Sequence, residues 1–399
     1  MKRILVLLDG GIAHDGRVQR VIHSLSNDFF VDLYYPDSKT DDNLLFTSNN
    51  VNLISYKKEE SWCKNNLFFH NKFDQLISKV LEHKKVYHAI YCNDYPLLKA
   101  STELKNKLNC PLIYDSHEIY IETINQFFPT KGPKGILIGY PLIKINKLFH
   151  NYCENKYIKK IDLFVTVCES FCNYFKGKYK LKNYVVLKNC HRLIHNIGKK
   201  NILKERLRLT KHDKVLIYQG VINPGRGLEK IVSASKEFND NIHFIILGDG
   251  PSKQNLKSEV IAMNVQNIHF IDKVPFENLL EYISSADIGI LLIESINLSK
   301  RLTLPNKVFE YMSASIPVIT NKLPEASKIV SENNCGFIID DSNPHSIAKE
   351  INSIFNKEYK TFGLNGKKAI REIYNWDNEF KETKIKIEEL MNLPEDSFT

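Results

Sequence analysis

Apolar runs of strand length alternate with helix-length segments along most of this chain. A first series comprises ILVLL, VDLYY, AIYCN, LIYDS, LFVTVC and YVVLKN, and a second begins at Val215 with VLIYQG, HFIILGD, IHFID, IGILLI, PVIT and CGFII. Unbroken apolar runs are typical of parallel strands that are buried on both faces, with helices as the crossovers between them. The two series therefore predict an α/β protein with two Rossmann-like, doubly wound domains.

The length of the chain agrees with two domains. Its 399 residues exceed one ordinary core and fit two domains of roughly 150–200 residues each. The stretch from Cys190 to Asp213 is polar and rich in lysine, asparagine and histidine, which is typical of a linker. We predict an N-terminal domain at 1–192, a C-terminal domain at 193–375 that opens with the linker 193–213, and an amphipathic helix at 376–399.

Several classes of protein are excluded by composition and patterning. The apolar run near the first residue is interrupted by Asp9, Gly10 and His14, so neither a signal peptide nor a spanning helix is expected there. The eight cysteines form no CxxC pair and no metal-binding spacing, which favours reduced, mostly buried thiols. The net charge is +9, but no nucleic-acid-binding pattern would present that charge to bases. We expect a cytoplasmic protein that does not bind nucleic acid.

The stretch KRLTLPNKVFEYMSASIPVITNKLP, residues 300–324, combines a polar loop, a helix start and a short buried strand. Pro305 stands where proline is best tolerated, at the opening of a helix. Free N–H groups at such an opening attract a diphosphate, and Lys307 adds a positive charge. Glu310, one turn further, can accept hydrogen bonds from a ribose diol. An amphipathic helix that enters a strand would explain the apolar positions. It would not explain why Pro305, Lys307 and Glu310 occur together where the loop meets the helix.

A glycine-rich loop follows the first strand of the second series. Gly220 comes after VLIYQ, and Arg226 lies between two glycines before a helix that begins near Leu228. Ligands of doubly wound sheets bind outside the carboxyl ends of the strands. Glycine lets backbone N–H groups approach phosphate oxygens, and arginine can bind two of them at once. This loop is a second candidate contact for a diphosphate.

The first series carries its own polar loops at strand ends. Gly11 ends the first strand, and Asp15 and Arg17 open the following helix. The alternative for Asp15 is a helix cap that satisfies backbone donors without any ligand. His117, in the sequence YDSHE, follows the LIYD strand at a carboxyl end where a ligand is expected.

These motifs resemble retaining GT-B glycosyltransferases, specifically glycosyltransferase family four (glycosyl transferases group 1), in which a PxKxxEYxxxxxPV pattern is familiar. LIYQGVINPGRGLEKIVSA, FIILGDGP and the run 270–293 resemble further elements of its second domain, and DGRVQRVIHSL and YDSHE resemble acceptor-side elements of its first. The resemblance implies two domains that face each other across a cleft, with a C-terminal helix that crosses back to the first domain. It also implies transfer of a sugar from a nucleotide-diphosphate sugar to a glycan or lipid-linked acceptor in surface polysaccharide biosynthesis.

The resemblance also implies a role for each candidate residue. His117, with Glu118 to fix it, would contact the donor sugar near the anomeric carbon, and Glu310 would bind the ribose. Arg226 and Lys307 would hold the diphosphate and stabilise it as it leaves, so that neither a metal ion nor another cofactor is expected. The remaining donor contacts would be Gly11, Gly220, Val274, Thr303 and Leu304, and the acceptor-side residues would be Asp15, Arg17 and Glu118.

Two positions depart from the family pattern. Val221 stands where an arginine usually follows the first glycine, and Leu302 stands where the first glutamate of a Glu-x7-Glu pair is common. Two alternative functions remain open. One is a nucleotide-sugar epimerase or hydrolase of the same fold, and the other is a non-catalytic subunit that binds a nucleotide sugar.

The segment 131–160 mixes basic and apolar residues. Its lysines are Lys131, Lys134, Lys144, Lys147, Lys156, Lys159 and Lys160, and they alternate with groups of isoleucine, leucine, tyrosine and phenylalanine. This mixture suits a surface that contacts anionic lipid headgroups and inserts apolar side chains. A partly buried helix with its lysines in water is the alternative.

Overall fold

The structure is a computed structural model that describes residues 1–37, 48–57, 73–124, 139–193, 198 and 200–393. The chain divides into two compact units. The first contains Met1–Asn189 together with the chain from Glu379 onwards, and the second contains Cys190–Asn378. The first unit is therefore assembled from two separate stretches of sequence.

The first unit is built on a seven-stranded parallel sheet. Its strands β1 to β7 are, in chain order, Arg3–Leu7, Phe30–Pro36, Val51–Tyr56, Ala89–Asn93, Leu112–Ser116, Leu163–Thr166 and Tyr184–Val186. Their order in the sheet is β3-β2-β1-β4-β5-β6-β7, and the reversal beside β1 makes the sheet doubly wound. The helices are Gly16–Leu25, Asp74–Glu82, Leu98–Leu108, Tyr120–Thr123, Tyr140–Ile158 and Glu169–Tyr179.

The second unit repeats this plan with six parallel strands in the order β10-β9-β8-β11-β12-β13. The strands β8 to β13 are Lys214–Gln219, Ile242–Leu247, Ile268–Ile271, Ile288–Leu291, Val318–Thr320 and Gly336–Ile338. The helices are Ile202–Arg206, Leu228–Ala234, Lys253–Met263, Phe276–Ser284, Leu298–Leu302, Lys307–Ser313, Pro324–Glu332, Pro344–Phe355 and Lys360–Glu372. The prediction of two Rossmann-like, doubly wound α/β domains is confirmed.

The central strands are buried along almost their whole length, as their unbroken apolar runs predict. Residues 4–7 of β1 and 89–92 of β4 have no exposed surface. In the second unit, β8 and β9 contribute to one hydrophobic cluster with the helices Leu228–Ala234 and Pro344–Phe355. Strands that are covered on both faces leave only their ends open for polar chemistry.

A last helix, Trp376–Met391, begins in the second unit and runs onto the first. Within the first unit, the Lys384 ammonium lies 2.6 Å from the Asp28 carboxylate, and Lys386 Nζ donates to the Tyr184 carbonyl at 2.9 Å. Lys2 Nζ donates to the Met391 carbonyl at 2.6 Å. The prediction of a C-terminal helix that returns to the first domain is confirmed.

The two units meet in sequence at 189/190 and at 378/379, whereas the predicted boundaries are 192/193 and 375/376. The segment predicted as a linker contains the short helix Ile202–Arg206. Across the described ranges, no helix combines the length and the apolar character needed to cross a membrane.

Candidate functional site

A polar cluster lies at the end of β8 in the second unit. Directly after β8, Gly220 has a φ of +120°, and a Cβ built on it would lie 2.7 Å from Lys307 Nζ. Only glycine adopts this backbone conformation readily and leaves that space for the lysine side chain. The loop after β8 therefore permits close approach of Lys307, although these two residues lie far apart in sequence.

Lys307 is the first residue of the helix Lys307–Ser313. Its Nζ lies 5.2 Å from the centroid of the Tyr218 ring, within the range of a cation–π contact. Burial and the charge of Arg226 lower the pKa of the Lys307 ammonium to about 8, while Glu310 acts in the opposite direction. Because the helix has only seven residues, we attribute the local positive charge mainly to the lysine and less to the helix dipole.

Arg226 lies between Gly225 and Gly227, which both have positive φ values, and its side chain is half-buried. Among the described residues, neither Arg226 nor Lys307 has a hydrogen-bond or ion-pair partner. Arg226 nevertheless lies close enough to Lys307 and Tyr218 for its charge to act to lower the pKa of each. Two neighbouring cations that lack a bound carboxylate are arranged to receive an anion.

The carboxylate of Glu310 is held by two partners. Gln219, the last residue of β8, donates a hydrogen bond to Oε2, and His191 Nε2 lies 3.3 Å from Oε1. Burial acts to raise the pKa of Glu310, but His191, Lys307 and Gln219 together lower it below its usual value. The carboxylate is therefore ionised at neutral pH and can accept hydrogen bonds from hydroxyl groups.

Sequence reasoning missed His191 and Gln219. Gln219 could have been found, because it ends a predicted strand beside the glycine loop. His191 gives no local signal, since it follows the last strand of the first sheet. Its carbonyl accepts the Trp376 N–H at 3.0 Å, and its ring lies 5.8 Å from the Phe276 ring. One residue thus contacts the candidate site, the start of the last helix and the segment that follows β10.

The helix Lys307–Ser313 is held against the sheet by Tyr311, which is fully buried. Its hydroxyl donates to the Ile290 carbonyl at 3.2 Å and lies 3.4 Å from the Ile217 carbonyl. The ring packs directly on β11, where a Cβ on Gly289 would lie 2.4 Å from it. Tyr311 in the PNKVFEY motif is therefore an anchor of the helix to β8 and β11.

The other predicted donor contacts lie on neighbouring segments. Thr303 is half-buried and extended (φ −68°, ψ 149°), and Leu304 is buried. Val274 is half-buried between β10 and the helix Phe276–Ser284. Within the part of the chain that the structure describes, no hydrogen bond or ion pair joins these three residues to Gly220, Arg226, Lys307 or Glu310.

The first unit carries a second polar cluster, around His117. Its Nδ1 lies 3.2 Å from Asp94 Oδ2, and its Nε2 lies 3.5 Å from Asp115 Oδ2. The backbone N–H of His117 also donates to Asp94 Oδ1 at 3.0 Å. Burial acts to lower the pKa of the imidazole, but the two carboxylates raise it well above its usual value. The imidazole is therefore protonated at neutral pH.

Arg17 is buried beneath this cluster, with 3% of its surface exposed. Its Nε and Nη2 donate to the two oxygens of Asp115 at 3.0 and 2.8 Å, and its Nη1 donates to the Leu187 carbonyl at 2.6 Å. The Tyr91 hydroxyl donates to the same carboxylate at 2.8 Å. In this position Arg17 orients Asp115, which faces His117. The predicted acceptor contact of Arg17 stays a prediction.

The remaining first-unit candidates lie in the segments that follow β1 and β5. The Asp15 carboxylate accepts the Val18 N–H at 3.0 Å and caps the helix Gly16–Leu25, which is the alternative recognised in the sequence. Gly11 precedes the short turn Ile12–His14, and the Glu118 carbonyl accepts a hydrogen bond from the Ser116 hydroxyl at 2.9 Å. Over the described ranges, no group of three or more histidine, cysteine, aspartate or glutamate side chains could hold a metal ion.

Residues 199–369, which include Gly220, Arg226, Lys307 and Glu310, match the family described as glycosyl transferases group 1. The second unit therefore carries the domain of this family. An uncharacterised glycosyltransferase of Methanocaldococcus jannaschii is 26% identical over 278 residues, which cover 64% of this chain and 67% of that relative. The predicted resemblance to group 1 glycosyltransferases is confirmed, and the chain is a nucleotide-sugar-dependent glycosyltransferase by family.

Solved structures agree on the fold. Sucrose-phosphate synthase from Thermosynechococcus elongatus aligns with a TM-score of 0.77 at 14% identity, over 98% of this chain and 99% of that one. Anabaena HepE in complex with UDP-glucose aligns with a TM-score of 0.72 at 14% identity, over 98% and 100% of the two chains. The group 1 glycosyltransferase therefore has the GT-B fold.

Proposed function

We propose that this group 1 glycosyltransferase retains anomeric configuration and transfers a sugar from a nucleotide-diphosphate sugar to a hydroxyl of a glycan or lipid-linked acceptor. The acceptor class we propose is a cytoplasmic precursor of a surface polysaccharide, such as lipopolysaccharide or capsule. The observation that carries the donor assignment is the cluster at the end of β8. There, Lys307 and Arg226, two cations with no ion-paired carboxylate in the part of the chain that the structure describes, lie beside the ionised Glu310.

In this proposal the charged groups of the cluster bind two different parts of the donor, the diphosphate and the ribose. Lys307 and Arg226 bind the diphosphate and stabilise the charge that develops as its bond to the sugar breaks. Glu310, oriented by His191 and Gln219, accepts hydrogen bonds from the ribose hydroxyls. An oxygen of the leaving phosphate takes the proton of the acceptor hydroxyl, so that no protein base and no metal ion are required.

The first unit contributes the second part of the proposed mechanism. We assign His117 to a hydroxyl of the donor sugar, because its protonated ring is a hydrogen-bond donor whose pKa is held high by Asp94 and Asp115. Arg17 acts through Asp115 as a positioning residue. The family resemblance implies that Glu118 helps to hold His117 in position.

A panel of nucleotide sugars tests the proposal directly. UDP-glucose is the first probe, because the related fold of Anabaena HepE is in complex with it. A donor at a hundred times its dissociation constant should stabilise the protein by about 2.7 kcal/mol, which is measurable as a rise in melting temperature. Transfer is then measured with lipid-linked acceptors, with and without EDTA, and the anomeric configuration of the product is determined by NMR.

The same assay separates the alternative functions. Conversion of the nucleotide sugar without any acceptor would identify an epimerase or a hydrolase. Donor binding without turnover of any acceptor in the panel would indicate a non-catalytic subunit, for which the departures Val221 and Leu302 would be the first explanation. Loss of activity in EDTA that returns with Mg²⁺ would contradict metal independence.

A further inference from the structure

The helix Tyr140–Ile158 exposes an unusual number of large apolar side chains. Ile145, Leu148 and Tyr152 are 64%, 64% and 67% exposed, and Phe149 is 37% exposed. Their spacing of three and four residues places them on one side of the helix. We call these four residues the apolar stripe. The helix is attached to the first unit by its opposite side, where Ile143, Asn146, His150 and Cys153 are among the buried residues.

The exposed charged residues of this helix, and of the two positions that follow it, are all lysines. Lys144, Lys156, Lys159 and Lys160 are exposed, and none of them has a carboxylate partner among the described residues. The one carboxylate in the helix, Glu154, is buried and bonded to Tyr179 and Lys178. Lys147 differs, because it lies 3.1 Å from Glu122 and its charge is partly compensated. Lys131 and Lys134 of the predicted segment lie outside the described residues.

We propose that the apolar stripe and these four lysines dock the first unit on an anionic lipid surface. Apolar and aromatic side chains enter the region between headgroups and acyl chains, while lysines contact the lipid phosphates. A tyrosine suits this depth, since its ring is apolar and its hydroxyl reaches water. The surface belongs to the first unit and shares no residue with the donor cluster of the second unit, so the proposal does not depend on which nucleotide sugar binds.

A second copy of the chain could cover the apolar stripe instead of a lipid surface, but the charges argue against it. In a two-fold symmetric pair the same surface meets itself. Lysines of one copy would then face lysines of the other, with no exposed acid on the helix to compensate them, which is unfavourable. An anionic lipid surface supplies the missing negative charge.

The test is sedimentation of the full chain with vesicles of phosphatidylcholine containing about one third phosphatidylglycerol, compared with vesicles of phosphatidylcholine alone. We expect binding to the anionic vesicles that is reversed by salt, because exposed charges are screened over about 8 Å at physiological ionic strength. Each lysine near such a surface contributes about fivefold to partitioning. The charge variant carries Lys144→Gln, Lys156→Gln, Lys159→Gln and Lys160→Gln. It should therefore bind anionic vesicles of the order of 10²–10³-fold more weakly than the unaltered protein.

Two matched controls come from exposed positions of the second unit. The control for charge removes the same number of lysines, with Lys211→Gln, Lys236→Gln, Lys349→Gln and Lys368→Gln. The apolar variant Ile145→Ser with Leu148→Ser should bind at least tenfold more weakly, and its control is Ile261→Ser with Leu364→Ser at positions that are 78% and 63% exposed. The controls should bind vesicles like the unaltered protein.

Four outcomes would overturn the proposal. The first is absence of binding to anionic vesicles by the unaltered protein. The second is vesicle binding by the charge variant and the apolar variant that equals that of the unaltered protein. The third is equal weakening of binding in the control variants. The fourth is a molecular mass above that of one chain in light scattering without lipid, which would assign the apolar stripe to a second copy. The charge variant alters only exposed side chains, so it remains informative if the apolar variant does not fold.

Discussion

At the scale of single residues, the charge of Lys307 is the property on which donor binding should depend most. Lys307→Ala and Arg226→Ala should each slow transfer about 10²-fold, because each removes one contact to the charge that develops on the diphosphate. Near-normal turnover by both variants would contradict the assignment. Glu229→Ala, in the neighbouring helix, is a control for general electrostatic effects near Arg226.

The lowered pKa of Lys307 adds a pH dependence that is specific to this residue. Its pKa is about 8 in the structure, so the free site loses the lysine charge as the pH rises through that value. Donor affinity should therefore be constant below about pH 7 and fall above about pH 8. Lys307→Arg should remove this loss, because arginine stays charged. Donor dissociation constants measured by calorimetry from pH 6.5 to 9.5 test the prediction, and an equal decline in both proteins would refute it.

Glu310 and His191 form the second residue-scale prediction. Glu310→Gln keeps the shape but loses the charged acceptor, so donor binding should weaken by about 1.5–3 kcal/mol. His191→Asn should weaken donor binding less and leave transfer at saturating donor almost unchanged, because His191 acts through the orientation of Glu310. If Glu310→Gln unfolds the protein instead of weakening donor binding, the carboxylate has a structural role and the ribose assignment is wrong.

At the scale of elements, the packing of the helix Lys307–Ser313 on β11 determines where Lys307 and Glu310 lie. Gly289→Ala would place a methyl group 2.4 Å from the buried Tyr311 ring. We expect a loss of about 1–3 kcal/mol in the free energy of unfolding, since a tightly packed core must move. Donor affinity should fall with it. The control is Gly198→Ala, where a Cβ meets nothing within 4 Å, and denaturant titration of both variants supplies the comparison.

The cluster of His117, Asp94, Asp115 and Arg17 joins the loops after β4 and β5 to the helix Gly16–Leu25, and it should make stability depend on pH. The folded-state pKa of His117 lies above its unfolded value of about 6.5. Its contribution is therefore fully present below about pH 6.5 and is lost as the pH rises through the raised pKa. The difference in melting temperature between the unaltered protein and His117→Asn should be largest near pH 6 and should shrink towards pH 9. A difference that grows with pH would show that the imidazole is neutral.

At the scale of the whole molecule, the order of the buried strands is predictable because each is a continuous apolar run. The strand Val51–Tyr56 is missing from the prediction, because it is partly exposed and has no such run. The grouping of Pro305, Lys307 and Glu310 is also predictable from the sequence, since the three residues lie within one local motif. Arg17 is different, because its role depends on Asp115, which is 98 positions away. Likewise, His191 and Glu310 are 119 positions apart. Contacts made by the final fold between such distant residues leave no periodic or local signal in the sequence.

The discontinuous first unit has a consequence for synthesis of the chain on the ribosome. A nascent chain that has been translated as far as Asn378 contains every residue of the second unit. Its first unit still lacks Glu379, whose carboxylate accepts the Lys188 N–H at 3.1 Å, and Lys386, which bonds to the end of the sheet. The unit translated first is therefore completed last. Until the helix Trp376–Met391 has left the exit tunnel, the first unit lacks these contacts. We therefore expect it to be more exposed to chaperones and proteases than the second unit at that stage.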